Sequence, residues 1–163
     1  MNVATATASV SIDYSKSLQD MIATGHFDWV NDDITPKRFP IKGTGVVELE
    51  TKVFHFNRAI SSKDAVAAVK ADDTQNPWEP APIEALLAYA AKHPDEQRQY
   101  PIIGLGSVAK VGGCRGVPCL GRDGAERVLR LGWWVGVWDG DFRFLAVRKV
   151  RKPRSGAWLG RSY

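Results

Sequence analysis

The sequence predicts an α+β fold, with strands and helices in separate groups. Residues 46–56 alternate apolar and polar side chains, as a half-buried strand does, and residues 142–149 show the same alternation. Between them, residues 63–71 and 83–92 carry apolar side chains at helical spacing. A strand, two helices and then several short strands is the order of an α+β domain and not of repeated βαβ units.

Length and composition fit one globular domain with at most a small N-terminal appendage. The chain has 163 residues, of which 44% are hydrophobic and 25% are charged, and these values are far from those of disordered chains. No apolar run approaches the ~20 residues that span a bilayer. The N-terminus lacks the basic start and long apolar core of a secretory signal. We therefore expect a cytoplasmic protein without a membrane span.

Residues 1–45 are predicted to form an N-terminal extension packed on the main domain. Within it, residues 15–24 predict a short helix, because apolar side chains recur at helical spacing and Gly25 follows as a stop signal. Pro36 and Pro40 then bracket an extended link that leads to the first long strand.

The two central helices are predicted from their caps as well as their apolar faces. Ser61 or Ser62 is expected to cap the helix over residues 63–71, with an aspartate in the first turn that favours the helix dipole. A His-Pro pair closes the helix over residues 83–92.

Short strands are expected in the following part of the chain. Residues 101–108 form an apolar run that predicts a buried strand, and residues 117–120 and 127–131 are strand-like pieces. Glycine-rich turns separate them, and ten of the fifteen glycines lie between residues 104 and 140. A loop-rich β region with many tight turns would explain some of these glycines.

Residues 131–142 show no consistent period. They contain three glycines, three tryptophans, two valines and two aspartates. Because glycine weakens regular elements and tryptophan is costly to expose unless it is used, we interpret this segment as a loop surface displayed by a scaffold.

The net charge of +4 is concentrated at the C-terminus. From Arg143 onward there are seven basic residues and no acidic ones. Residues 150–163 are therefore predicted to form a basic C-terminal tail. Such a tail can bind nucleic acid, while a solvated and partly frayed tail is the simpler interpretation.

No residue pattern supports catalysis. The three histidines lack the spacing of metal ligands, and the nucleophile and metalloprotease motifs are absent. Cys114 and Cys119 are expected to be reduced rather than bridged. Asp139 and Asp141 could face a calcium ion, although nearby loop carboxylates are more often only solvated. We expect a protein that is not an enzyme and has no metal or cofactor.

The C-terminal part of the chain resembles the variable proteins of diversity-generating retroelements. Their variable region commonly ends in a strand of the type Trp-x-x-x-x-Arg-Phe-x-x-Val-Arg, matched here by Trp138 and residues 143–149. Residues 103–108 and 117–120 occupy the places of the Leu-Gly-Ser and Val-Pro-x-Leu strands of that family. The likeness begins at Phe54, with the sequence Phe-His-Phe-Asn-Arg and the two helices that follow.

The resemblance implies a C-type-lectin-like fold over residues 46–149, with a variable region at about 112–142. In this family, adenine-directed copying errors change chiefly Asn-type codons, which become Gly, Val, Asp, Cys and others but never Trp. The positions that this rule assigns to ligand binding are Gly113, Cys114, Gly116, Gly121, Gly124, Gly132, Val135, Gly136, Val137, Asp139, Asp141 and Phe142. The positions that it leaves as framework are Trp133, Trp134, Trp138, Arg143 and Phe144.

The predicted function is therefore that of a hypervariable ligand-binding protein, whose target is a macromolecule, with a protein as the first expectation. Two other functions stay open. The basic C-terminal segment could bind nucleic acid, with Trp158 available for stacking. Alternatively, Trp134 or Trp138 could be the sugar platform of a calcium-dependent, lectin-like carbohydrate-binding module.

Overall fold

A computed structural model describes residues 3–4 and 8–150 of the chain. The α-helices of this part are α1 (Leu18–Thr24), α2 (Ser62–Ala71) and α3 (Ile83–Lys92), and a 3₁₀ turn spans Glu96–Arg98. The strands are β1 (Val3–Ala4), β2 (Ala8–Asp13), β3 (Trp29–Val30), β4 (Val46–His55), β5 (Ile60–Ser61), β6 (Glu79–Pro80), β7 (Ile102–Ile103), β8 (Ala109–Val111), β9 (Cys114–Asp123), β10 (Glu126–Trp133), β11 (Val137–Trp138) and β12 (Arg143–Lys149). The predicted basic tail lies outside the described residues from position 151 onward, and so does the part of the predicted nucleic-acid segment, Arg143–Arg161, that follows residue 150.

Most of the strands belong to one mixed sheet. Its main path runs β1-β4-β12-β7-β9-β10-β3, while β2 also pairs with β4, β6 with β12, and β8 with β9. A second, two-stranded sheet joins β11 to β5. The predicted α+β class is confirmed, because the described residues form a large sheet with three α-helices in separate parts of the chain.

Local signals explain where the helices begin. The hydroxyl of Ser17 accepts a hydrogen bond of 3.1 Å from the backbone N–H of Asp20 and caps α1, so this helix starts later than predicted. Ser61 caps α2 in the same way through Asp64. Helix α3 has the predicted bounds, and its first N–H, that of Ile83, donates to the side chain of Ser107 at 2.7 Å.

The predicted strand over residues 101–108 is shorter than expected, and only Ile102–Ile103 pair. The chain turns away after them because the backbone N–H of Gly106 donates to the carbonyl of Ala81 at 2.8 Å. In contrast, β9 and β10 are longer than predicted, and they pair along the whole of β10, from Glu126 opposite Asp123 to Trp133 opposite Gly116.

Strand β12 separates two hydrophobic cores. On one face, Leu145 and Val147 pack in the core that includes α1 and α3. On the other face, Phe144 and Ala146 pack in a core with Trp78 and residues of α2. Since successive side chains of a strand point to opposite faces, this strand is buried on both sides.

The segment before residue 46 contributes to the same sheet as the rest of the chain. Strand β2 pairs antiparallel with β4 over six residues, from Ala8 to Asp13, and β3 pairs in parallel with β10. The buried Arg127 of β10 fastens this segment, because its guanidinium donates to the carbonyls of Gly25 and His26 and packs on the Phe27 ring. Strands β2 and β3 thus join this segment to the main sheet.

Among the residues that the structure describes, no helix has both the length and the apolar character needed to cross a membrane.

Candidate binding surface

The path of residues 133–142 places this segment over one face of the sheet. Strand β10 ends at Trp133, and the backbone N–H of Trp134 then donates to the carbonyl of Arg115 at 2.8 Å. The chain continues through β11, where Val137 pairs with Ser61. It therefore contains a short strand that the sequence did not predict, because the two-residue pairing depends on a partner far away in the chain.

Residues 133–137, which we call the exposed turn, carry apolar side chains into solvent. Trp133 is 45% exposed, Val135 is 75% exposed and Val137 is 71% exposed. Gly136 has a φ of +95°, which few other residues adopt, and it allows the chain to reverse between the two valines. Large apolar side chains displayed together on a surface are a signature of binding sites.

The β8–β9 hairpin borders the exposed turn. Its tip contains Gly112 and Gly113, both with positive φ, and Cys114 follows with an exposed thiol. The guanidinium of Arg115 lies 5.3 Å from the centre of the Trp134 ring. The surface thus combines apolar side chains with a cation at its edge.

A buried tryptophan anchors this surface. Trp138 is 7% exposed, and its indole N–H donates to the hydroxyl of Ser62 at 2.9 Å. The same hydroxyl donates to the backbone carbonyl of Trp134 at 2.8 Å. The indole ring packs against Phe142 and Phe144, with ring centres 5.2 Å and 6.2 Å away. The sequence predicted Ser62 only as a possible helix cap, and nothing in its local pattern indicates this role.

The predicted framework positions differ in their burial. Trp138 and Phe144 are buried, and Trp134 and Arg143 are half-buried. Trp133 is 45% exposed, so a framework role for this residue would not depend on packing in the core. Its position at the end of β10, beyond the area that residues 134–142 cover, accounts for the difference.

The predicted ligand-binding positions also divide into two groups. Those that are exposed are Gly113, Cys114, Gly124, Val135, Gly136, Val137, Asp139 and Asp141. Among the others, Gly116 and Gly121 are buried, and Gly132 and Phe142 are half-buried.

Packing explains why this second group is not displayed. A Cβ atom built on Gly132 would lie 2.5 Å from the Trp138 ring, and one built on Gly121 would lie 2.7 Å from Nη2 of Arg130. Gly116 is buried within β9, where the Trp133 ring lies over it. Phe142 is half-buried against the Trp138 ring.

The predicted set does not form one continuous surface. Gly121 lies seven positions after Cys114 along β9, a distance of roughly 23 Å in an extended strand. Gly124 lies beyond Gly121, in the β9–β10 turn. Asp141 lies with these two glycines beside a cleft at that end of the sheet.

The described residues contain no group of three or more His, Cys, Asp or Glu side chains that could hold a metal ion. The Asp139 carboxylate accepts a hydrogen bond of 3.0 Å from the backbone N–H of Asp141, so it shapes its own turn. Cys114 and Cys119 are both free thiols. Burial raises the pKa of the Cys119 thiol to about 11.

Comparisons of this chain with protein-family models, with curated proteins and with solved structures find no match.

Proposed function

We propose that this chain is a hypervariable ligand-binding protein, diversified by a retroelement, on a C-type-lectin-like scaffold. The observation that carries the proposal is the exposed turn, where Trp133, Val135 and Val137 project into solvent while the neighbouring Trp138 is locked in the core. Such a turn combines a changeable surface with a fixed support. The likeness to the retroelement family supplies the mechanism of diversification.

The chemistry of the turn favours a protein as the ligand. Binding energy at protein interfaces comes mainly from a few aromatic and arginine side chains surrounded by apolar contacts. Trp133, with Arg115 and the two exposed valines nearby, supplies these groups. Because Ser62 holds the backbone on which they stand, little conformational entropy is lost on binding.

The exposed positions can change without disturbing the core. Cys114, Val135, Val137 and Asp139 are all exposed, and substitutions at such sites usually alter stability by less than ~0.5 kcal/mol. Gly124 has a φ of +61°, a conformation that asparagine also adopts with little strain. Exchange between glycine and asparagine should therefore change the free energy of folding little at this position. Adenine-directed copying of an Asn codon produces this exchange.

The proposed scaffold is supported by the placement of the strand that follows the variable region. Strand β12 lies next to β4 in the interior of the sheet, although it is the last strand of the described chain. The exposed turn is thereby held between two long strands, β10 before it and β12 after it.

The genomic test is to sequence the DNA that flanks the gene. We expect a second copy of the segment that encodes residues 112–149, next to a reverse-transcriptase gene. The two copies should differ only where the second has adenine, and the differences should include codons 114, 135, 137 and 139. Absence of such a copy, or differences concentrated at the codons of Trp138 and Phe144, would overturn the proposal.

A folding test separates display positions from packed ones. One library randomises four exposed positions, Cys114, Val135, Val137 and Asp139. A matched library randomises four packed positions from the same predicted set, Gly116, Gly121, Gly132 and Phe142. We expect most clones of the first library, and few of the second, to resist proteolysis. Equal survival would show that the exposed turn is not a separate display surface.

A further inference from the structure

We propose that the polar cleft beside the β9–β10 turn binds a small organic oxyanion, such as a phosphate ester or a carboxylate. The cleft has a volume of about 620 Å³, which falls within the range of small-molecule sites. It opens where β4 and β9 end and β12 begins, at the opposite end of β9 from the exposed turn. This inference is independent of the proposed protein-binding surface.

Three arginines and two aspartates line the polar cleft. The cations are Arg122, Arg130 and Arg143, and the anions are Asp123 and Asp141. Arg130 and Arg143 are half-buried, whereas both aspartates are exposed. The formal charge of the lining is positive, and Arg130 and Arg143 are less solvated than the two aspartates, so the interior favours an anion.

Arg130 lies in the cleft because the paired strand leaves room for it. Its guanidinium lies over Gly121, where a Cβ atom would come within 2.7 Å of Nη2. Apart from an interaction with the Cys119 thiol, this guanidinium has no partner among the described residues, and no carboxylate there lies within 4.0 Å of it. The absence of a side chain at Gly121 thus makes room for the Arg130 guanidinium and is not required by a turn.

Arg143 also has unused hydrogen-bonding capacity, although it interacts with the Tyr100 side chain. It lies over the Tyr100 ring, 3.6 Å from the ring centre, which fixes the plane of its guanidinium. Its Nε atom is buried without a hydrogen-bond partner in the described residues, and no carboxylate forms an ion pair with it there. A planar guanidinium with free N–H groups suits the paired oxygens of a phosphate or carboxylate.

Further donors surround the two arginines. The third arginine, Arg122, donates from Nη1 to the carbonyl of Gly124 at 3.1 Å and so stays at the edge of the cleft. The amides of Asn57 and Gln99 belong to the same lining. His55 donates from Nε2 to the carbonyl of Gly140 at 2.8 Å, because a carbonyl oxygen can only accept. The amide donors of Asn57 and Gln99 complement the charge of an oxyanion without adding net charge, whereas the N–H of a neutral His55 is already used by the Gly140 carbonyl.

The test is calorimetric titration of the full chain with inorganic pyrophosphate and, separately, with citrate, at constant ionic strength. The first arm reports a phosphate site and the second a carboxylate site. We expect saturable binding of at least one probe, weakened roughly tenfold or more by Arg130→Gln, because hydrogen bonds to charged groups are lost. Arg38→Gln is the matched control, since Arg38 makes only an exposed ion pair with Asp33. This control should change affinity by less than about twofold if binding is local.

Two further variants keep the proposal falsifiable if Arg130→Gln does not fold. Asp141→Asn removes an exposed negative charge and should tighten binding several-fold. Gly121→Ala should weaken binding, because the new methyl group displaces the Arg130 guanidinium. No heat from either probe at about 10 mM, which corresponds to an affinity too weak to be specific, would overturn the proposal. Equal weakening by Arg38→Gln and Arg130→Gln, or weaker binding by Asp141→Asn, would also overturn it.

Discussion

Replacing Trp138 with alanine should lower the free energy of unfolding by about 3–5 kcal/mol, as for large aromatic residues in protein cores. Replacing the adjacent Val137 with alanine should change it by less than ~0.5 kcal/mol. The two residues form the whole of β11, yet Val137 is 71% exposed and Trp138 is 7% exposed. Comparing the two substitutions therefore distinguishes a buried anchoring residue from an exposed residue within one short strand.

The magnitude for Trp138 comes from several contacts. Its ring packs against Phe142 and Phe144 and fills the space above Gly132, so alanine leaves a cavity that neighbouring side chains cannot fill. The hydrogen bond to Ser62 is also lost, which adds about 0.5–1.5 kcal/mol. Trp138→Phe should have an intermediate cost, because most of the ring remains.

Urea unfolding followed by far-ultraviolet circular dichroism measures these differences, since this signal does not depend on the tryptophan that is removed. A lower midpoint with an unchanged slope would report a true loss of stability. Equal midpoints for Trp138→Ala and Val137→Ala would refute the division between anchor and display.

Three other outcomes are expected. Gly132→Ala should lower the free energy of unfolding by about 1–3 kcal/mol through overpacking. The loss should be smaller in the Trp138→Phe background, and an equal loss in both backgrounds would rule out the contact between these residues. A thiol reagent at pH 8 should label Cys114 alone in the native protein and Cys119 as well in denaturant, because burial raises the pKa of Cys119 to about 11; two native thiols would contradict this burial. Burial, with the hydrogen bond to Glu84, raises the pKa of Tyr14 from 10.0 to about 12. Stability should therefore fall as the pH rises from 10 towards 12, because the unfolded state loses this proton first, and a melting-temperature series should show a smaller fall for Tyr14→Phe than for the unmodified chain.

The elements that the sequence predicted well have strong local signals. Helix α3 has the predicted bounds because its apolar face and closing His-Pro pair are both local, and β12 begins one residue after its predicted start. Strands β3 and β11 were missed, since each has two residues and forms only by pairing with a distant segment.

The glycines show why the candidate site was harder to predict than the fold. Gly124 provides a positive φ, Gly132 makes room for the Trp138 ring, and Gly121 makes room for the Arg130 guanidinium. The sequence alone does not show which of these roles a glycine has, and two of the roles depend on the register or path of other strands. The same holds for Trp133 and Trp138, which are the same residue type with opposite burial.

The interior position of β12 makes folding depend on an intact reading frame through the residues that precede it. This strand follows the proposed variable region in the sequence, yet it pairs with β4, β6 and β7 and contributes to both cores. A frameshift or a stop codon introduced in codons 112–142 changes or removes the sequence of β12, and the resulting chain cannot complete its sheet. Unfolded chains are removed by cellular proteases. If this segment is copied with errors, as we propose, stable protein would therefore come only from copies that keep the reading frame. The fold would thereby tolerate amino-acid substitutions at exposed positions but not frameshifts.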